Sequence, residues 1–248
     1  MTPSLRRLLF ETLYRNKYLY RFASTVPFAG QWRPWQRQVL PRLRGHDVLE
    51  LGCGLGDLLA DMLAAGYACH AVEHSPQMVA AARETLHKRH LGSPGLIIQG
   101  SAQALPFSDC SFDNVISTFR SEYIYDPNTI AEIARVLRPS GHLIVIEGAN
   151  LLPIGFLQPI LLLLQTLVYG PRAIFRSHEN HPAENNPHPQ NPTPSANQQT
   201  NSSITTEIVT NANFGHHIPL ERAGLSRRSE IARSKRWEVY ITIGEKAN

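Results

Sequence analysis

Apolar and polar positions alternate in blocks along the first 150 residues, and the blocks predict strands and helices in turn. Residues 46–51 are a short apolar run ending in an acid, the pattern of a buried parallel strand. Residues 57–65 have helical periodicity, and 68–73 form a second apolar run. Ser75-Pro76 predicts a helix start, with serine as N-cap and proline in the first turn, continued by 78–90. Residues 96–99 and 112–118 read as the third and fourth strands. Asp126-Pro127 opens a helix running to about residue 137, Arg138-Pro139-Ser140-Gly141 ends it, and 142–147 is a fifth strand. Strands alternating with helices in this way imply right-handed crossovers and a mostly parallel sheet.

The regularity then breaks. The 24 residues 148–171 carry no charge and include Leu161-Leu162-Leu163-Leu164. By length this stretch passes the threshold for a membrane span. Its place opposes that reading, because a span would put the first five strands and the last two on opposite sides of a bilayer. A lid, a dimer contact or a shallow membrane anchor suits it better. Residues 177–203 hold five prolines and six asparagines and no large apolar residue, which predicts a disordered polar loop. From Ile204 the chain is foldable again, with a helix expected at 219–223 and a closing strand pair at 226–233 and 236–244.

Charge changes the picture at the amino end. The chain has 248 residues and a net charge of +4, but residues 1–44 hold nine Lys or Arg against the single acid Glu11. Leu5, Leu8, Leu9, Leu13, Tyr14, Tyr18 and Phe22 recur there at helical spacing, with Arg6, Arg7, Arg15, Lys17 and Arg21 between them. That suits an amphipathic helix on an anionic membrane surface. A cover helix with a solvated basic face fits equally well. Nucleic acid is not an expected partner, since the positive charge is not repeated elsewhere. Three widely spaced cysteines lack metal-ligand spacing and suit a reducing compartment. The first residues show no continuous apolar signal region, so a cytoplasmic location, peripheral on the inner face of a membrane, is the expectation.

The candidate chemistry centres on the end of the first strand. Glu50-Leu51-Gly52-Cys53-Gly54-Leu55-Gly56 packs three glycines at a spacing of two, then enters a helix. Such a turn lets a ligand's polar groups approach bare backbone. A dinucleotide fingerprint would carry its last glycine one position later, and taken alone the turn also suits other α/β proteins. Further stretches agree with it. Ala71-Val72-Glu73-His74-Ser75 puts an acid at the end of the second strand, able to accept both hydroxyls of a ribose. Gly100-Ser101-Ala102-Gln103-Ala104-Leu105-Pro106-Phe107 follows the third strand, and Val136-Leu137-Arg138-Pro139-Ser140-Gly141 precedes the fifth.

In these residues the chain resembles the class I S-adenosylmethionine-dependent methyltransferases, specifically the small-molecule enzymes grouped with ubiquinone and menaquinone biosynthesis. The resemblance spans roughly residues 46–147. It implies a Rossmann-like α/β fold with seven strands in the order 3-2-1-4-5-7-6, the last antiparallel, and helices on both faces. It also implies S-adenosyl-L-methionine as cofactor. Gly52, Cys53, Gly54 and Gly56 would line its methionine part, and Glu50 would face the amino group. Glu73 would hold the ribose, with His74 and Ser75 beside the adenosine and Met78 packing near the adenine. Ser101, Ala102 and Gln103 would meet the adenine edge, and Ser117 and Thr118 would sit close to the methionine part and the substrate entrance. Similar proteins usually carry aspartate where Ser101 stands, so a hydrogen bond weaker by about 1 kcal/mol is expected there. Arg138-Pro139-Ser140-Gly141 likewise replaces a commoner double glycine.

No dedicated acid–base signature is required, because methyl transfer from a sulfonium relies chiefly on alignment and exclusion of water. The Asn/Asp-Pro-Pro-aromatic signature of nucleobase-amine methylases is absent after the fourth strand. Arg120, Glu122, Tyr123 and Tyr125 are substrate-facing candidates there, each equally readable as structural. His217, next to His216, is a candidate base from a lid or a member of a solvated pair. His178, His181 and His188 lack ligand spacing, and no metal is expected. The expected organisation is a basic arm (1–44), a methyltransferase core (45–148 and 204–248) and an insertion (149–203). The expected function is methyl transfer to a small lipophilic acceptor at a membrane surface, with a homodimer as a further option. A methyltransferase-like binding or assembly subunit is the alternative.

Overall fold

The computed structural model describes residues 17–119, 122–152, 204–209 and 217–248. The first part of the basic arm, Arg120, most of the apolar 148–171 stretch, the polar loop with its histidines, and His216 lie outside the described residues.

Five parallel strands form the body of the sheet. They are β1 (Asp47–Leu51), β2 (Ala68–Glu73), β3 (Ile97–Gln99), β4 (Phe112–Thr118) and β5 (Leu137–Leu151). After them come β6 (Thr205–Val209), β7 (Leu225–Ser234) and β8 (Trp237–Lys246), and the order across the sheet is β3-β2-β1-β4-β5-β8-β7-β6. β8 runs antiparallel to β5, with Ile144 opposite Ile243 and Leu151 opposite Trp237. The closing pair is therefore placed as expected, reversed strand inside.

Three details differ from the expectation. The sheet has eight strands, because β6 adds an edge to β7 with Thr206 opposite Ala232. Its residues are almost all exposed, so its sequence carries little of the apolar signal that marks a strand. β5 begins at Leu137 and runs to Leu151, taking in the Arg-Pro-Ser-Gly turn, where Ser140 adopts a left-handed backbone with φ of 59°. The helix expected at 219–223 is only a 3-10 turn, Glu221–Ala223, closed by Gly224 at φ 71°.

Helices cover both faces because neighbouring strand residues point to opposite sides. Val48, Ile116, Ile144, Ile146 and Ile241 pack with α3 (Asp57–Ala64) and α4 (Pro76–Lys88) through Leu58, Leu59, Met62, Val79 and Leu86. Leu49, Leu51, Val115, Leu143 and Val145 pack on the other side with Ile130, Ile133 and Val136 of α5 (Pro127–Val136) and with Ile218 and Leu220. The caps anticipated from sequence form. Ser75 Oγ accepts from the Met78 amide at 3.4 Å, and an Asp126 carboxylate oxygen accepts from the Asn128 amide at 2.9 Å.

The arm folds onto the first of these faces as α1 (Lys17–Thr25), α2 (Trp32–Gln36) and a 3-10 turn (Arg37–Arg42), burying Trp35 and Val39. Its cations meet the protein's own acids. Arg21 pairs with Asp57, and Arg33 and Arg37 with Asp61. Arg42 forms a buried ion pair with Glu230 at 2.7 Å. The pairs made by the exposed Arg21, Arg33 and Arg37 contribute little individually, so apolar packing does most to fasten the arm. Tyr18, Leu19, Phe22 and Val26 lie at exposed positions of this segment, Phe22 with half its surface accessible.

Candidate functional site

The carboxyl ends of β1, β2 and β4 meet at the glycine turn, with Leu51 level with Val72 on one side and Ser117 on the other. The turn needs its glycines for different reasons. Gly52, Gly54 and Gly56 have φ of 71°, 53° and 74°, a left-handed backbone that side chains disfavour. Gly56 begins α3, and a β-carbon there would come within 2.9 Å of the Ala82 β-carbon, so its bareness lets α3 and α4 approach. A β-carbon at Gly52 would stand 3.0 Å from the Tyr123 hydroxyl.

Glu73 ties this turn to the next. One carboxylate oxygen accepts from the Gly54 amide at 3.0 Å and the other from the Ser75 amide at 2.9 Å. An acid expected to serve a ligand thus also shapes the loops around it. Each oxygen keeps a second lone pair for a further donor. His74, between these two partners, is exposed. Met78 is fully buried and packs with Leu55 and Ala81 beneath the turn.

Glu50 is the electrostatic oddity of the site. It is 1% exposed, and neither carboxylate oxygen has a hydrogen-bond partner among the described residues. By the alternation of β1 it lies on the face of Val48, the face covered by α3, α4 and the arm. Burial, and then the neighbouring charge of Glu73, push its pKa up to about 8. Burial also holds the Cys53 thiol well above its ordinary range, with Glu50 and Glu73 adding to the effect. Cys53 is therefore a buried, neutral thiol.

On the β3 side, Ser101 Oγ hydrogen-bonds the Gln103 side chain, and Gln103 Nε2 donates to Asp126 at 3.2 Å. Ala102 is buried among the residues packed with α5. The 105–109 segment is held by Arg135, which donates to the Leu105 and Phe107 carbonyls and pairs with Glu132 and Asp109. Arg135 went unremarked in the sequence because a single arginine on a helix has no distinguishing pattern.

At the end of β4 the structure reassigns several candidates. Ser117 is fully buried. The Tyr123 hydroxyl donates to the Leu51 carbonyl at 2.9 Å, which uses its only hydrogen, so Ser117 Oγ donates to Tyr123 at 2.9 Å. Tyr123 is thus set against the glycine turn, joining the ends of β1 and β4. Thr118 Oγ1 accepts from Gln36 Nε2 of the arm at 3.2 Å. Glu122 is exposed at the start of a 3-10 turn, Glu122–Tyr125.

His217 is not brought to this edge. It lies 3.4 Å from Glu221 just ahead of β7, whose first residue Leu225 is opposite Lys246. That is the edge where β5 begins, at the other end of the sheet from the glycine turn.

Sequence reasoning missed an aromatic group beside Thr118. The Trp32 ring stacks on Phe119 with centroids 3.9 Å apart and planes at 25°. Phe28 contacts Trp32 and Trp35, each at 5.3 Å. The signal was present as Phe28, Trp32 and Trp35 at spacings of four and three, a helical face further along the arm than the periodicity followed above.

Comparison with known proteins agrees with this geometry. Residues 49–145 match the family model described as a methyltransferase domain. The chain is 30% identical over 151 residues to a demethylmenaquinone methyltransferase of Symbiobacterium thermophilum, covering 58% of this chain and 59% of that one. It is 33% identical over 143 residues to the enzyme of the same name from a Mycobacterium strain, covering 56% and 57%. The match thus spans less than two thirds of the length of these relatives. Among solved structures, the fold is similar to a Pyrococcus horikoshii protein at TM-score 0.53 and 19% identity, covering 93% of this chain and 99% of that one. It is also similar to a candidate S-adenosyl-L-methionine-dependent methyltransferase of Methanococcus maripaludis at TM-score 0.51 and 18% identity, covering 66% and 75%. The glycine turn and the acid ending β2 thus lie within the stretch that matches the methyltransferase domain model, and the reversed β8 beside β5 lies outside it.

Proposed function

We propose that the protein binds S-adenosylmethionine at the glycine turn and transfers its methyl group to a small lipophilic acceptor at a membrane surface. The observation that carries this reading is Glu50, a buried carboxylate without a hydrogen-bond partner among the described residues, near the end of β1. A buried acid in that state calls for a cation, and the ammonium of the cofactor's methionine part supplies one. Glu73 accepts the ribose hydroxyls on the lone pairs its backbone donors leave over. Ser101, Gln103 and the buried Ala102 border the adenine, and Met78 supports the turn from beneath.

Held by Glu50, the glycine turn and Glu73, the cofactor would supply a methyl group on a cationic sulfur. The protein's part is alignment and dryness. Tyr123 locks the ends of β1 and β4 through Leu51 and Ser117. The arm roofs the end of β4 through Gln36 and its aromatic residues.

A lipophilic acceptor is favoured by that aromatic cluster and by the naming of the relatives as demethylmenaquinone methyltransferases. Isothermal calorimetry with S-adenosylhomocysteine, followed by incubation with methyl-labelled cofactor and a reduced lipid extract, tests the reading. Binding and an extractable labelled lipid are expected. Binding with no labelled product would move the protein to the binding or assembly class, and no binding would remove the site.

The membrane half rests on the apolar positions of α1 and the turn after it. Phe22 and Val26 are exposed on the same side of the segment, four residues apart. Two apolar side chains and a basic arm anchor a protein only together. Flotation with phosphatidylglycerol-containing vesicles is expected to carry the wild-type protein upward and to leave Phe22→Asp behind. Equal flotation of the two proteins would exclude α1 as the contact.

A further inference from the structure

The two edges of the sheet are built differently. β3 closes one edge with only Ile97–Gln99, which gives a further strand little to pair with. β6 closes the other with Thr205–Val209, and among the described residues no strand lies beyond it. We propose that β6 is a self-association surface, where a second copy of this chain adds its own β6 antiparallel and joins the two sheets into one. The inference is independent of the methyl-transfer reading.

The edge lacks the devices that protect a free strand, which are proline, lysine, a bulge or an unpaired charge. Thr205-Thr206-Glu207-Ile208-Val209 holds neither proline nor lysine. It pairs with β7 in an unbroken register, from Thr205 opposite Arg233 to Val209 opposite Ser229. Its one charge, Glu207, is already paired with Arg233 and so does little to repel a neighbouring strand. Thr206 Oγ1 accepts from Arg42 at 3.3 Å, and Arg42 is bound to Glu230, so the strand is tied to the arm as well as to β7.

The same strand exposes apolar surface. Ile208 is 64% exposed, and Ile204, directly ahead of the strand, is 38% exposed. With Thr206 between them, both alternate onto the face of Ala232, the face the arm covers.

Symmetry then selects one register. A twofold axis perpendicular to the sheet keeps the faces of the two copies matched only if it passes through a residue, because side chains alternate with a period of two. Within residues 204–209, the longest overlap puts that axis through Thr206 or Glu207. Through Glu207, two like charges would stand directly opposite, which is destabilising. Through Thr206, Glu207 faces the partner's Thr205 and Ile204 faces the partner's Ile208, each contact made twice. Charge and apolar pattern choose the same alignment. So short an edge lies at the small end of interface sizes, and the dimer is therefore weak and dependent on concentration.

Sedimentation velocity of the full chain from about 1 to about 200 μM tests the proposal. The wild-type mass is expected to rise from one chain towards two across that range. Ile208→Lys should raise the dissociation constant at least about tenfold, with unchanged thermal unfolding because the position is exposed. The register is read by cross-linking in a Cys110→Ser background, which removes the exposed thiol. Mild oxidation should link Thr206→Cys into a covalent dimer, since the axis sets that residue opposite itself, and should leave Glu207→Cys unlinked. A wild-type protein that stays monomeric throughout, or a dimer that Ile208→Lys leaves intact, overturns the inference. Linkage through Glu207→Cys and not Thr206→Cys overturns the register.

Discussion

Glu73→Ala is expected to weaken S-adenosylhomocysteine binding by about a hundredfold or more, and to lower stability as well. The carboxylate has four acceptor positions, of which the Gly54 and Ser75 amides take two. On the proposed reading the other two accept the ribose hydroxyls. Hydrogen bonds to a charged acceptor are worth about 1.5–3 kcal/mol each, so losing two to the ligand gives the binding loss. Losing the other two frees buried amides and loosens the glycine turn, at about 1–3 kcal/mol of stability. Calorimetry and urea unfolding separate the effects. Loss of binding with unchanged stability would mean that Glu73 serves only the ligand, and unchanged binding would place the ribose elsewhere.

Glu50→Gln is expected to act in opposite directions on the fold and on the site. The glutamate has a pKa of about 8 in the folded chain, against an ordinary value near 4.5. A raised carboxyl pKa stabilises the fold fully below the unfolded value, and that stability is lost as pH rises towards the folded value. Between pH 4.5 and 8 the unfolded chain releases this proton and the folded chain retains it, which costs about 5 kcal/mol across the window. Glutamine carries no such proton. The variant should match wild type near pH 5 and become progressively more stable than it up to pH 8. Its cofactor affinity should fall, because the ammonium loses its counter-charge. In wild type the same ammonium expels the Glu50 proton, so affinity should rise with pH until about 8, and this rise should vanish in the variant. Thermal unfolding and calorimetry across pH 5–8.5 read both effects. A stability difference that stays flat over that range would show Glu50 ionised throughout.

Much of the site was legible because local chemistry dictates it. Three glycines at a spacing of two can take up a left-handed backbone at each step, and they do so at Gly52, Gly54 and Gly56. Ser75 and Asp126 announce the starts of α4 and α5, since a short side-chain acceptor before a proline leaves the chain few alternatives. Apolar runs with little polar interruption marked β1, β2, β4 and β5 as buried on both faces. The reversal of β8 beside β5 followed from the resemblance and not from any periodicity.

The sequence by itself determined the order of strands and helices, the turn where β1 meets α3 and the acid that ends β2. Each of these depends on residues a few positions apart, where backbone sterics and periodicity act. The tertiary structure alone decided what those residues do to one another. It set Glu73 on the Gly54 amide across 19 positions and left Glu50 without a hydrogen-bond partner among the described residues. It turned Tyr123 and Ser117 into a brace across Leu51, and carried His217 to the far edge of the sheet. It matched the arm's arginines to Asp57, Asp61 and Glu230, and stacked Trp32 on a phenylalanine 87 positions away. Such contacts join side chains distant in sequence, and their energies depend on burial and distance, which exist only once the chain has folded.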